Sequence, residues 1–314
     1  MKNWIFSLLF LPFILSGANH AITYEYYGRF GDALLSYLHA KWLSYQYQIP
    51  LLYKTFEYSS ELKLHTREIW LEKDVKHNNR TPIVLQNEVL DLDRTDPTMF
   101  ICPYFPEVEW ELNQANWSYF QVEWKDPNFR NLAQKLIAPQ SKIETIHPLE
   151  NTINIAIHIR EGGGFDSAGT RLTFPLKLPP FSFYTESLKE ILSQFPNQRV
   201  YCHLFTDAKD PSQLADQLKA EIPSQYFVKF GYRKSNSHKK NVLEDFFSFF
   251  NFDILIRPES NFSIVPSLLH DFAIVRFPTD ATVIGESVTI NSVQTQTNYH
   301  VLQNLLKRVS RFHY

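Results

Sequence analysis

The residues best suited to chemistry lie in Asn154-Ile-Ala-Ile-His158-Ile-Arg160-Glu161-Gly162-Gly163-Gly164-Phe165-Asp166, an apolar run that ends in a His-x-Arg pair and three glycines. Arg160 brings a permanently charged guanidinium fork that matches phosphate oxygens. Gly162, Gly163 and Gly164 let backbone N–H groups approach those oxygens with no Cβ in the way. A buried strand ending in this fashion delivers its polar groups where open α/β sheets bind ligands. A Gly-rich surface turn with Arg160 in an ordinary salt bridge leaves the same short trace, so the weight rests on the strand ends further along the chain.

Two further strand ends carry polar groups. Arg199-Val-Tyr-Cys-His-Leu-Phe-Thr206-Asp207 is an apolar strand closing on Thr-Asp, and Pro211 opens the helix after it. Phe252-Asp253-Ile-Leu-Ile256 is a third strand. It breaks at Arg257-Pro258-Glu259 and passes through Ser260-Asn261-Phe262-Ser263 into a helical run over 264–270. Ser and Asn before an apolar helix supply cap side chains, and the helix start supplies unpaired N–H groups and a positive dipole end. Three such ends in order point to an anion or ribose site more firmly than any one of them.

The elements that must position these groups follow from periodicity. Strands near Ile153, Val200, Tyr226, Asp253 and Ala273 alternate with helices over 181–195, 211–221, 242–250 and 261–270, which predicts a parallel, doubly wound sheet. Upstream, the spacing of Phe30, Ala33, Leu34, Tyr37, Leu38 and Trp42 predicts a helix over 30–46, and 50–53 reads as a strand. Residues 139–148 read as a linker. The expected organisation is therefore a leader over 1–18, a first α/β unit over 21–148, and a second over 149–314 whose terminal helix, over 298–311, packs back on the first.

Composition sets limits on function. The chain has 314 residues, 44% of them hydrophobic, enough for two cores. Its 31 Lys and Arg nearly balance 33 Asp and Glu, so no basic excess speaks for nucleic acid. Cys102 and Cys202 lack metal-ligand spacing, and Cys202, inside an apolar strand, is expected as a buried free thiol. Asp91-Leu-Asp93 has an Asp-x-Asp metal pattern, but its setting before Asp96-Pro97 reads as a solvated turn. No metal is expected. Lys2, the apolar stretch from Trp4 to Leu15 and Ser16-Gly17-Ala18 read as a signal peptide or short anchor, with membrane association through that segment as the other reading. Asn79-Arg-Thr81, Asn116-Trp-Ser118 and Asn261-Phe-Ser263 match the N-glycosylation pattern, and the compartment stays open.

His158-Ile-Arg160 with its glycines and Asp166 resembles the His-x-Arg-x-Gly-Asp motif of the GDP-fucose-dependent fucosyltransferase superfamily, which comprises α1,2-, α1,6- and protein O-fucosyltransferases. Asp253-Ile-Leu-Ile with Ser260-Asn261-Phe262-Ser263 is similar to that superfamily's late motif, and Gly28-Arg29-Phe30-Gly31-Asp32 is similar to its opening loop. The matches span most of the chain in the family's order. Asp166 falls six positions after Arg160 where the family has three, and Asp32 stands where the α1,2 group has Asn. The chain reads as a divergent member.

The resemblance implies a GT-B-like α/β fold of two Rossmann-like domains facing a cleft, and metal-independent, inverting transfer of fucose from GDP-fucose to a glycan or protein hydroxyl. It implies no cofactor beyond that donor. Arg160 would hold the diphosphate; His158, Gly162, Gly163, Gly164, Asp207, Asp253, Ser260, Asn261, Phe262 and Ser263 would form the donor side. Gly28, Arg29, Gly31 and Asp32 would form the acceptor-side loop. Asp32, Glu161 and Asp166 are candidates for the general base, Asp32 first. Two other classes stay open: a glycan- or nucleotide-binding protein on a decayed transferase fold, and an exported surface interaction protein. A hydrolase is disfavoured by the absence of Gly-x-Ser-x-Gly and His-Glu-x-x-His.

Overall fold

The computed structural model describes residues 19–74, 76, 79–104, 122–161 and 168–310. The leader, Asn116, Gly162, Gly163, Gly164 and Asp166 lie outside the described residues. No helix among the described residues is long and apolar enough to cross a membrane.

The first unit contains β1 (His20–Tyr24), α1 (Phe30–Tyr47), β2 (Leu52–Tyr53), α2 (Leu64–Arg67), β3 (Ile69–Trp70), β4 (Thr81–Val84), β5 (Thr98–Cys102) and α3 (Pro127–Ile137). Parallel pairing gives the order β1-β5-β4, and a parallel bridge from Ile22 to Leu51 attaches the β2-β3 pair to the other side of β1. Helix α1 is buried around most of its circumference, as expected of a helix enclosed by neighbours rather than lying on a surface. Its Leu34, Tyr37 and Leu38 join Ile22, Tyr24, Phe100 and Phe129 in one core.

The second unit contains β6 (Ile153–Ile159), α4 (Ala168–Thr173), α5 (Phe181–Ser193), β7 (Arg199–Thr206), α6 (Pro211–Glu221), β8 (Phe227–Tyr232), α7 (Val242–Ser248), β9 (Ile254–Ile256), α8 (Asn261–Leu269), β10 (Ile274–Ile284), β11 (Ser287–Thr297) and α9 (Tyr299–Ser310). The sheet order is β11-β10-β9-β6-β7-β8, parallel except for the β10-β11 pair. Every residue of β6 is buried, which is what its continuous apolar run requires of a strand covered on both faces. The expected α/β architecture of two Rossmann-like units about a cleft is thus the observed one.

Two features depart from the sequence reading. The terminal helix α9 does not pack on the first unit. It buries Leu305 and Val309 in the second-unit core, and Arg308 reaches Asp253 at 2.6 Å. Beyond the strand expected at Ala273, only Ile274, Val275 and Arg276 of β10 pair with β9; the rest continues as an antiparallel hairpin with β11. Gly285, at φ +60, opens its two-residue turn. That position must adopt positive φ in a type II′ turn, and glycine does so without strain.

The two units meet along α1 and α8. Gly31 lies so close to α8 that a Cβ there would stand 2.5 Å from the Phe262 backbone nitrogen. Asn261 Nδ2 donates to Asp32 Oδ1 at 2.7 Å across the same seam. Arg130 and Gln134 of α3 both donate to the Leu269 carbonyl at the far end of α8. Val265 and Leu269 of α8, with Leu243 and Phe246 of α7, complete the first unit's core.

Candidate active site

A cleft open to solvent lies over the C-terminal ends of β6 and β7 and against the start of α1. From the first unit Arg29, Phe30, Gly31, Asp32, Glu57 and Tyr58 line it; from the second, His158, Arg160, Asp207, Ser260, Asn261 and Phe262 do. The structure therefore brings His158 and Arg160, Asp207, residues 260–262 and the opening-loop residues 29–32 to one place, the second-unit groups as the parallel topology requires of groups that end neighbouring strands.

Arg160 follows β6 directly and is partly exposed in the cleft wall. Two residues earlier His158 is buried, with its Nδ1 2.7 Å from Ser263 Oγ. The Ser263 hydroxyl also lies 3.2 Å from the Ser260 carbonyl, so Ser263 ties His158 to the start of α8. Burial, with Arg160 and Arg257 nearby, pulls the His158 pKa down to about 3, which keeps the ring neutral. Ser263 is fully buried and acts behind the wall, through His158.

Asp207 accepts the Glu161 N–H at 2.9 Å and so fixes the chain where it leaves β6. The Glu161 side chain turns to Arg171, at 2.5 Å. At the start of α8, Ser260 is the N-cap by position but makes no side-chain cap bond. The expected capping is replaced: Asn261 bonds across the seam to Asp32, and Ser263 to His158. Oδ1 of Asn261 is buried without a partner, an acceptor left unsatisfied at the cleft. The same burial takes Asn261 out of reach of glycosylation in the folded chain.

On the loop before α1, Gly28 takes φ +77, and Asp32 Oδ2 accepts the Arg29 N–H at 3.0 Å. Asp32 is thus both a helix-start cap and a seam residue, with one oxygen in each role. The structure corrects the donor-side expectation for Asp253. That residue precedes β9, at the strand's N-terminal end, where Oδ2 accepts the Asn154 N–H at 2.9 Å and pairs with Arg308. It is at the end of the sheet away from the cleft.

The sequence reading passed over a fourth strand end. Residues 233–241, between β8 and α7, enter the cleft wall with Asn236, Ser237, His238, Lys240 and Asn241. Asn236 Nδ2 donates to the Thr206 carbonyl at 3.0 Å and to Asp245 Oδ2 at 2.6 Å, and Arg233 Nε donates to Asp245 Oδ1 at 2.6 Å. Burial raises the Asp245 pKa against the opposing pull of Arg233 and Asn236. The polar run Lys234-Ser-Asn-Ser-His-Lys-Lys240 after a strand carried the same signal as the other three ends. Tyr58 had no such signal: it sits at φ +62, and its hydroxyl donates to the Lys239 carbonyl at 3.2 Å, joining the units above the cleft.

Among the described residues no group of three His, Cys, Asp or Glu stands together as a metal site. Asp91 and Asp93 are exposed in a turn, with the Asp93 N–H donating to Asp91 Oδ1 at 3.2 Å. Cys102 and Cys202 are both free and buried, and burial raises both thiols.

No protein-family model matches the chain, and no curated protein matches it in sequence. Among solved structures it is similar to fucosyltransferases. POFUT1 in complex with GDP-fucose matches at 12% identity over 82% of this chain and 96% of that one, with a TM-score of 0.43. A mutant of Arabidopsis thaliana FUT1 in complex with GDP matches at 12% identity over 82% and 69%, TM-score 0.49. NodZ α-1,6-fucosyltransferase soaked with GDP-fucose matches at 13% identity over 89% and 99%, TM-score 0.43.

Proposed function

We propose that this protein is a metal-independent glycosyltransferase that moves fucose from GDP-fucose to a hydroxyl of a glycan or glycoprotein with inversion. The observation that carries this reading is the placement of Arg160 in a cleft walled by polar ends of parallel strands on one side and by the α1 loop on the other. A bidentate cation at such a place suits a diphosphate leaving group, because its hydrogen bonds strengthen as negative charge grows on the departing oxygens. Asp245 and the Thr206 carbonyl fix Asn236 in the wall where a base would lie, and the uncapped start of α8 offers backbone N–H groups to an anion.

The acceptor hydroxyl must lose a proton as the new bond forms. Asp32 is held by the Arg29 N–H and the Asn261 amide, and each oxygen keeps a further lone pair for that proton. Glu161 is committed to Arg171, which leaves it ill placed for this role.

A second reading, nucleotide binding without turnover, is favoured by the double engagement of Asp32. One panel separates the two. Thermal shifts with GDP, UDP, CMP and free sugars are expected to show stabilisation by GDP, and GDP-fucose is expected to release GDP in the presence of EDTA. Binding without release supports the second reading. No response to any nucleotide removes both, and activity restored only by manganese removes metal independence.

A further inference from the structure

We infer that Tyr27 and Tyr104 form a carbohydrate platform on the first unit beside the cleft, which seats a sugar ring of the acceptor. The inference rests on the transferase reading for the meaning of acceptor, but its geometry stands independently. Loop 25–29 is braced on both sides. The Tyr24 and Tyr26 hydroxyls donate to the carbonyls of Lys54 and Thr55 at 2.6 and 2.5 Å, the Glu25 N–H donates to the Cys102 carbonyl at 2.9 Å, and the Arg29 N–H is held by Asp32.

That bracing uses Tyr24 and Tyr26 and leaves Tyr27 out. Tyr26 packs against the first core, whereas Tyr27 is 67% exposed and belongs to none of the hydrophobic clusters of the described residues. Its contact is Tyr104, just beyond β5, with ring centroids 5.4 Å apart at 73°. An edge-on pair fixes the ring orientation without covering both faces of either ring. Tyr27 and Tyr104 follow the C-terminal ends of the paired parallel strands β1 and β5, where Tyr24 lies opposite Cys102, and Arg29 and Asp32 of the same loop and helix start line the cleft, so the pair stands beside it. Burial, with Asp32 nearby, raises the Tyr104 pKa.

An exposed aromatic ring on a braced loop, two residues from Arg29 in the cleft wall, fits one chemistry better than others. The C–H face of a pyranose stacks on such a ring while its equatorial hydroxyls need donors and acceptors at the edge. Arg29 and Glu57 in the adjoining wall supply both. Tyr carries little rotamer entropy to lose on binding, so an ordered Tyr27 gives contact area at low conformational cost. The acceptor assigned by this geometry is therefore a glycan, engaged through a ring next to the one that is modified.

Saturation-transfer NMR on the full chain with cellotetraose, chitotetraose and lactose tests the platform. At least one probe is expected to receive saturation at its ring C–H protons. Tyr27→Ala is expected to weaken that probe about tenfold or more, while Tyr27→Phe and Tyr27→Trp retain it. All three variants are expected to keep the wild-type thermal shift with GDP. No saturation transfer from any of the three sugars, or equal binding by Tyr27→Ala, overturns the platform. Failure of GDP to stabilise the wild type overturns the donor reading instead, and the sugar titrations then judge the platform without it.

Discussion

The two ends of the six-stranded sheet carry the same kinds of side chain and use them differently. At the C-terminal end Arg160, Asp207, Asn236 and Asp245 surround open space. At the other end Asn154, Asp253 and Arg308 are tied to one another and to the backbone, with α9 closing over them. Polar residues at strand ends are thus not a site in themselves. Internal partners are present at both ends, since Asp207 holds the Glu161 N–H and Asp245 holds Arg233 and Asn236. What separates a site from a brace is that these groups still face open space, whereas α9 closes over the other end.

Acid is expected to disable both ends together, and this is the largest effect. His158 and His203 are buried and His39 is half-buried in α1, and desolvation lowers their pKa to about 3, 3 and 4. An unfolded chain protonates each near pH 6.5. Between about pH 6.5 and 4 the unfolded state therefore binds more protons, so the stability present above pH 6.5 is lost as pH falls. Asp245, whose pKa is raised, runs the other way, as one group against three. Since each pKa unit is worth about 1.4 kcal/mol, the combined loss is on the order of 5 kcal/mol or more by pH 4. Urea titrations at pH 7.5 and 4.5 check this; equal midpoints would show that the histidines protonate in place.

At the cleft end, Arg160→Ala is expected to lower kcat by about 10²–10³-fold, the loss typical of one preorganised donor. Arg160→Lys is expected to fall nearly as far, since it keeps charge but loses the fork. Because Arg160 is partly exposed, Tm should barely move. Donor turnover and thermal unfolding on the same preparations decide. An Arg160→Ala protein with full turnover would make this end of the sheet another brace.

The same contrast explains how much was legible in the sequence. The strand Asn154-Ile-Ala-Ile-His-Ile-Arg160 was readable because full burial writes a continuous apolar run, and helix 211–221 because proline and leucine spacing mark it. Asp253 was misread because its neighbours in sequence, an apolar strand and a Ser/Asn helix start, are those of a site. Its actual partners, Asn154 and Arg308, lie 99 and 55 residues away. The β10-β11 hairpin was missed because β11, Ser-Val-Thr-Ile-Asn-Ser-Val-Gln-Thr-Gln-Thr, is mostly polar, and its alternation of Val288 and Ile290 is short and broken by a bulge before Val293. The seam at Gly31 and the turn at Tyr58 depend on pairs of distant backbone segments, which no local pattern encodes.

At the braced end, Asp253→Ala is expected to cost about 1–3 kcal/mol, because it leaves the Asn154 N–H without its acceptor and Arg308 without its partner. GDP affinity should be unchanged, since the residue lies across the sheet from the cleft. Arg308→Ala is expected to cost less, about 1 kcal/mol or below, because the arginine side chain is 45% exposed and water replaces much of the pair. Its bond to the Thr152 carbonyl at 3.0 Å adds a tie of α9 to the start of β6, but that carbonyl can turn to solvent once the arginine is gone. The two variants therefore differ in kind of consequence as well as size: Asp253→Ala strands a backbone donor, and Arg308→Ala does not. The double variant measures what remains of the pair itself. Its cost should match that of Asp253→Ala to within about 0.5 kcal/mol if Arg308 acts mainly through Asp253. A double variant whose cost equals the sum of the two singles would show that the two side chains are uncoupled, with Arg308 acting through the Thr152 carbonyl, and that the ion pair does not close this end of the sheet.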